Sequence, residues 1–129
     1  FALLCHGERY NGSMNVFSNR FAKEAMNYSR EDVEYLQNLF ISFLGACNGL
    51  PRDLFTTKSG ELNAALFDSV FTASASECFK HKTLITKKLQ KERIRTLKAD
   101  PEFETAITHS TSHTKMVSKR IEKARLFLQ

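Results

Sequence analysis

A run of cations between residues 80 and 98 is the part of the sequence best suited to binding a ligand. Eight residues in this stretch are basic, and Glu92 is its single acidic residue. The basic residues are Lys80, Lys82, Lys87, Lys88, Lys91, Arg93, Arg95 and Lys98. Lysine and arginine bind phosphate groups, so a dense local excess of positive charge favours a polyanionic partner.

A helix over residues 83–98 would place five of these cations on one face. At 100° per residue they fall within an arc of about 100° and form a stripe about 16 Å long, which spans a few backbone phosphates. The five are Lys87, Lys88, Lys91, Arg95 and Lys98. No aromatic residue interleaves with them, so we expect contact with the backbone phosphates of a nucleic acid and not with its bases. Two other interpretations stay open: a solubilising surface helix, or a helix that docks on an acidic partner.

Serine and threonine residues at 110–112 and 114 precede the last predicted helix and form a second candidate anion site. Ser112, with Lys115 and Lys119 on the following turns, can hold an anion such as a phosphate at a helix start. Plain capping by Ser112 is the more ordinary role for this residue type. Arg120 falls inside the apolar stripe of the same helix, where a charge must pair or extend to solvent. We expect a structural salt bridge there, with a ligand contact as the alternative.

Residues typical of catalysis or metal binding do not form a recognisable motif. His109 and His113 are four apart, as metal ligands on a helix can be, but the residues between them predict a helix break. The sequence has no HExxH, no GxSxG and no glycine-rich phosphate loop. We therefore expect no catalytic residue, no metal site and no cofactor.

The composition is that of a globular chain with its charge unevenly distributed. Of the 129 residues, 42% are hydrophobic and 26% charged, which fits one domain over 1–129. Residues 1–79 carry 6 basic and 9 acidic side chains, whereas residues 80–129 carry 13 and 5. No apolar run is long enough to cross a membrane, and three cysteines without a CxxC pair favour reduced thiols and a cytoplasmic protein. Neither terminus has an ordinary start or stop signal, so we expect a fragment of a longer chain.

Hydrophobic spacing and capping residues predict an all-α fold, a multi-helix array of five to six helices with no substantial sheet. Ser13 precedes the first helix, Ser29 with Asp32 resembles a capping box, and Asp100–Pro101 is a strong helix start. The predicted helices span residues 14–27, 30–47, 61–79, 83–98, 101–109 and 113–128.

Three segments together resemble one protein family. They are residues 11–17 (NGSMNVF) followed by Phe21, residues 63–70 (NAALFDSV), and residues 103–107 (FETAI) followed by 117–121 (VSKRI). Their order and spacing resemble the helical region of GmrSD-type proteins, and the resemblance covers nearly the whole chain. Members of that family join a ParB/sulfiredoxin-like NTPase or nuclease domain to helices, often with an HNH-type nuclease domain after them.

The resemblance implies a role in modification-dependent restriction or phage defence. The family's DGQQR-type catalytic motif and its HNH motif are both absent from this sequence. We therefore expect a non-catalytic helical module, in which the basic stripe grips DNA phosphates or the helices form an interdomain scaffold while other domains of the parent protein read or cut the DNA. The alternative is a protein-interaction or oligomerisation module whose basic helix docks on an acidic partner.

Overall fold

The chain folds into α-helices joined by short connections, and the computed structural model describes residues 1–128. Seven α-helices lie in that range: α1 (Ala2–His6), α2 (Met14–Ala25), α3 (Arg30–Ala46), α4 (Ala64–His81), α5 (Lys91–Ala99), α6 (Pro101–Thr108) and α7 (Thr114–Leu128). Short 3-10 segments occupy Gly7–Arg9 and Arg52–Phe55. A single isolated bridge between Thr56 and Leu62 is the one β-type pairing in the described range. The all-α prediction is confirmed.

The helix count is seven and not five to six, because α1 forms in the apolar stretch at the start of the sequence. This helix has only five residues, too few to be stable alone, so its stability comes from packing. Leu3 is buried, and the Phe1 ring packs edge-on against Phe71 and Phe40 at centroid distances of 5.4 and 5.8 Å. Periodicity arguments need a longer run than this to identify a helix.

Side-chain caps set the start of three helices. The Ser29 hydroxyl accepts a hydrogen bond from the Asp32 N–H at 3.1 Å, and Asp100 accepts from the Phe103 N–H at 2.9 Å. Both caps were predicted from the sequence. Asn63 caps α4 in the same way, which moves the start of that helix from residue 61 to residue 64. Ser13 occupies the N-cap position of α2 but makes no side-chain cap hydrogen bond.

Helix α4 lies at the centre of the fold and packs against α1, α3, α6 and α7. Its side chains are buried on most sides, including the polar residues Ser69, Thr72 and Ser76. Around it, α3, α5, α6 and α7 contribute the other helical residues of the main core, such as Phe43, Leu97 and Phe103. A smaller cluster joins α1, α2 and α7, and it consists of Leu3, Tyr10, Phe17 and Val117.

The predicted basic helix is wrong in its first half, because α5 begins at Lys91 and not at residue 83. Helix α4 continues to His81 and ends at Lys82, which adopts the left-handed conformation (φ 52°). The Thr83 N–H then bonds the Cys78 carbonyl at 2.9 Å, which closes a Schellman-type helix end. The chain leaves α4 in a new direction at this point.

Residues 83–90, here named the connector, bond to α3 instead of forming a helix. The Ile85 N–H donates to the Ser42 hydroxyl at 3.1 Å, and the Leu89 N–H donates to the Ala46 carbonyl at 2.9 Å. The side chains of Ile85 and Leu89 are half-buried against the main core. These tertiary bonds satisfy backbone donors that a helix would otherwise satisfy. Lys87 and Lys88 therefore lie in the connector and not on a helix.

No helix within residues 1–128 combines the length and the apolar character needed to cross a membrane.

Candidate nucleic-acid interface

Three of the predicted phosphate-binding residues share one side of α5. Lys91, Arg95 and Lys98, here named the α5 face, fall within an arc of about 60° at 100° per residue. Ile94 and Leu97 are fully buried and anchor in the core a neighbouring side of the helix, centred about 100° from the α5 face. The α5 face extends about 10 Å along the helix axis. It is therefore shorter than the stripe of about 16 Å that a helix over 83–98 would have carried.

Two of these three cations are exposed to solvent, one of them beside a carboxylate. Lys91 and Arg95 are exposed, and the Lys91 Nζ lies 3.7 Å from the Glu92 carboxylate. Lys98 is half-buried, and its Nζ donates a 2.8 Å hydrogen bond to the Leu54 carbonyl. Lys98 therefore also fastens α5 to the loop before α4, and Lys91 and Arg95 are the members best placed to meet a phosphate.

Lys87 and Lys88 are exposed but form a separate group from the α5 face. Within residues 1–128 neither side chain makes an ion pair, and both line a cleft together with Arg93. Arg93 points about 180° away from the centre of the α5 face at 100° per residue. The single stripe predicted from the sequence is thus two basic groups on different sides of α5, because the helix starts eight residues later than predicted.

The cleft beside these lysines, here named the connector cleft, has a volume of about 520 Å³. The C-terminal half of α4, the connector, the start of α5 and the end of α7 form its walls. Its apolar lining comes mainly from Leu84, Ile85, Leu89 and Leu128. Its charged and polar lining includes Lys87, Lys88, Arg93, Ser74, Glu77, Thr86 and Gln90.

Two polar residues in the connector cleft differ in whether they have a partner. The Ser74 hydroxyl is buried and has no hydrogen-bond partner, which is uncommon for a buried polar atom. The Glu77 carboxylate accepts from the Lys80 Nζ at 2.6 Å, and this hydrogen bond is the largest cause of its lowered pKa. Because Lys80 compensates Glu77, the exposed Lys87 and Lys88 leave the cleft with an excess of positive charge.

The second predicted anion site is only partly assembled. Ser112 and Arg120 line a crevice of about 480 Å³, but Lys115 and Lys119 do not. The Lys119 Nζ is 2.7 Å from the Glu102 carboxylate. Helix α7 begins at Thr114, and the His113 carbonyl accepts its first helical bond, from the Val117 N–H at 3.0 Å. The N-cap is therefore His113, and the predicted cap at Ser112 is wrong by one residue.

Arg120 forms the salt bridge expected from its place in an apolar stripe. It is only 2% exposed, its Nη2 donates to the Asp68 carboxylate at 3.0 Å, and its Nη1 donates to the Thr111 carbonyl at 2.7 Å. Burial is the largest cause of the raised pKa of Asp68 and of the lowered pKa of Arg120. The Asp68 carboxylate disfavours a second anion beside Arg120, so the crevice favours the structural interpretation.

The predicted break between His109 and His113 is present. Helix α6 ends at Thr108, His109 is extended, and the chain turns before α7 begins. Over the described range, no group of three or more His, Cys, Asp or Glu side chains could hold a metal ion. The cysteines are free thiols, and burial raises the pKa of Cys47 to about 11, which keeps it protonated near neutral pH.

Two residues of the connector cleft were missed in the sequence. Arg93 lies off the predicted stripe, and its helical angle already set it apart from the other cations. Ser74 carries no sequence signal, because a serine inside a helix is ordinary and its lack of a partner depends on tertiary packing.

Comparisons with protein-family models, with curated proteins and with solved structures find no match to this chain. Membership of the GmrSD-type family stays a prediction from the three sequence segments.

Proposed function

We propose that this chain is a non-catalytic helical module that binds DNA through backbone phosphates. The observation that carries the proposal is the solvent exposure of Lys87, Lys88, Lys91 and Arg95 inside a stretch whose single acidic residue is Glu92. Cations outnumber the carboxylate of Glu92 eight to one in residues 80–98, whereas an ordinary solvated surface mixes the two signs more evenly. Clustered exposed cations of this kind attract a polyanion by releasing its counterions.

The arrangement supports contact with phosphates more than reading of sequence. The α5 face is convex and short, and it carries long flexible cations without aromatic neighbours. Phosphate contacts position a protein on a duplex but carry no base information. We therefore expect weak, salt-dependent binding with little sequence preference, as is typical of nonspecific association with DNA.

A module of this kind fits a larger DNA-targeting protein. The resemblance to the helical region of GmrSD-type restriction and phage-defence proteins supplies the one specific candidate for that parent. In this proposal the present chain binds the duplex or acts as a scaffold between neighbouring domains. The catalytic groups lie in those other domains.

Fluorescence anisotropy of the chain with a labelled blunt duplex over a salt series tests the proposal. The test variant is Lys91→Glu/Arg95→Glu, which replaces one like-charge i, i+4 pair by another and so disturbs the helix little. We expect weaker binding and a plot of log K against log salt whose slope is smaller by about 2, since two phosphate contacts are lost.

The matched control is Lys23→Glu/Lys58→Glu. Both residues are exposed and lie outside residues 80–98, and the net charge changes by the same amount. An equal loss of binding in this control would show that only overall charge matters. No binding of the unmodified chain at low salt would overturn the proposal and favour docking of the basic segment on an acidic protein surface.

A further inference from the structure

The connector cleft is concave, unlike the α5 face, so it suits a different part of a nucleic acid. Its volume of about 520 Å³ lies in the range of small-ligand sites, about 300–1,000 Å³. A duplex cannot enter a space of that size, whereas one nucleotide can.

Resting on the proposed function, we propose that the connector cleft binds a nucleoside monophosphate unit through its terminal phosphomonoester, either as a free nucleotide or as the 5′ end of a DNA strand. Lys87, Lys88 and Arg93 line the cleft, and Lys80 compensates the Glu77 carboxylate. A phosphomonoester carries a charge of about −1.5 to −2 near pH 7, against −1 for a backbone phosphodiester. Two exposed lysines at one recess therefore favour the monoester.

Hydrogen-bond donors supplement the cations at this place. The buried Ser74 hydroxyl has no partner, and Thr86 contributes a second hydroxyl to the lining. Helix α5 starts beside the cleft, and its N-cap residue Gln90 makes no side-chain cap hydrogen bond. Backbone N–H groups in its first turn add to the positive potential.

The apolar wall determines how the nucleoside part is held. It consists of aliphatic side chains, mainly Leu84, Ile85, Leu89 and Leu128, and no aromatic ring lines the cleft in the described part of the chain. A base packed against such a wall gains apolar contact without base-specific hydrogen bonds. We therefore expect adenosine and cytidine monophosphates to bind with affinities within about threefold of each other.

Isothermal titration with adenosine 5′-monophosphate tests the assignment, with adenosine and inorganic phosphate as partial ligands. We expect the monophosphate to bind more tightly than either part, because the cleft contacts both the phosphate and the nucleoside. The variant Lys87→Glu/Lys88→Glu should lower the affinity at least tenfold, while Lys23→Glu/Lys58→Glu leaves it unchanged. Circular dichroism and thermal melting establish that each variant folds.

Two results would overturn the assignment. One is the absence of monophosphate binding at millimolar concentration, or binding that the Lys87/Lys88 variant retains. The other is displacement of the nucleotide by a poly-glutamate peptide at equal charge concentration, which would assign the cleft to acidic protein segments.

Single-stranded oligonucleotides with and without a 5′-phosphate distinguish the two sources of the monoester. If the phosphorylated strand binds more tightly and the Lys87/Lys88 variant loses this difference, the ligand of the cleft is the 5′ end of a strand. If both strands bind equally and the mononucleotide still binds, the ligand of the cleft is a free nucleotide. The Lys91/Arg95 variant should bind the mononucleotide normally, so failure of duplex binding and failure of the cleft assignment give different results.

Discussion

Arg120 and Asp68 join α7 to the central helix α4 through an ion pair that is largely removed from water. The Arg120 side chain is 3% exposed and that of Asp68 is 31% exposed. Burial shifts both pKa values against the charged forms, which means that the attraction between the two groups only partly offsets their desolvation. The pair consequently fixes how α7 sits on α4 more than it stabilises the fold.

Replacing one partner of this pair should lower the free energy of unfolding more than replacing both partners. We expect Asp68→Ala to lower the free energy of unfolding by about 3 kcal/mol, because it leaves the buried Arg120 charge without its counter-ion. The double variant Asp68→Ala/Arg120→Met should recover at least half of that loss. Urea denaturation of the two variants measures the difference, and a double variant that is less stable than Asp68→Ala would contradict the interpretation.

Asp100 combines a helix cap with an ion pair, and its two roles can be separated. It accepts from the Phe103 N–H at 2.9 Å and lies 2.9 Å from the Lys123 Nζ. We expect Asp100→Ala to lower the melting temperature by about 3 °C, and Asp100→Asn to lower it less because the amide oxygen still caps α6.

The pH dependence of Asp100 follows from the direction of its pKa shift. The hydrogen bond from Lys123 is the largest cause that lowers the pKa of Asp100 below its ordinary value of 3.8. A carboxylate with a lowered folded pKa stabilises the fold above its unfolded pKa, and that stability is lost as pH falls through the folded pKa. The melting-temperature difference between Asp100→Asn and the unmodified chain should therefore shrink on acidification from pH 6 towards pH 2.5. A difference in melting temperature that stays constant with pH would show that the charge of Asp100 does not contribute to stability.

At the scale of elements, the connector is positioned by two of its backbone N–H groups, which donate to the Ser42 hydroxyl and the Ala46 carbonyl of α3. We expect Ser42→Ala to remove the acceptor of the Ile85 N–H and to lower the free energy of unfolding by about 1 kcal/mol. The same variant should weaken nucleotide binding in the connector cleft and leave duplex binding by the α5 face unchanged. Titration of both ligands measures this, and equal weakening of both would show that the connector and α5 respond as one unit.

Elements with strong local signals were predicted well from the sequence. Helices α2, α3, α6 and α7 lie within about two residues of their predicted bounds at every end, because Ser29, Asp100 and the apolar spacing act over single turns. Helix α1 was missed, since its five residues depend on Phe71 and Phe40 from distant elements. The buried side of α3 is likewise set by tertiary packing, since Val33 is 40% exposed whereas Leu39 is fully buried.

In the candidate site, too, the features with local sequence signals were predicted and those that depend on distant contacts were not. The excess of charge and the helical relationship of Lys91, Arg95 and Lys98 are local, and they were predicted. The position of Lys87 and Lys88 depends on bonds from the connector to Ser42 and Ala46, more than forty residues away, and no local pattern reveals such bonds. Helix propensity is a weak preference that tertiary contacts override.

At the scale of the whole molecule, burial is concentrated around α4. Leu66, Val70 and Ala75 are fully buried there, whereas α2 contributes only Phe17 to the smaller cluster. We expect the backbone N–H groups of α4 to exchange with deuterium most slowly and those of α2 much faster, since a segment with few buried contacts opens at lower free energy. Hydrogen exchange measured by NMR checks this, and equal protection of α2 and α4 would show that the whole chain opens as one unit.

The attachment of the connector at Ile85 and Leu89 has an evolutionary consequence. Between these two anchors the side chains of Thr86, Lys87 and Lys88 point outward, and the core does not depend on them. Mutations at these positions alter the charge and shape of one recess at little cost to folding. Substitutions there can therefore change what that recess recognises while the helical scaffold is kept.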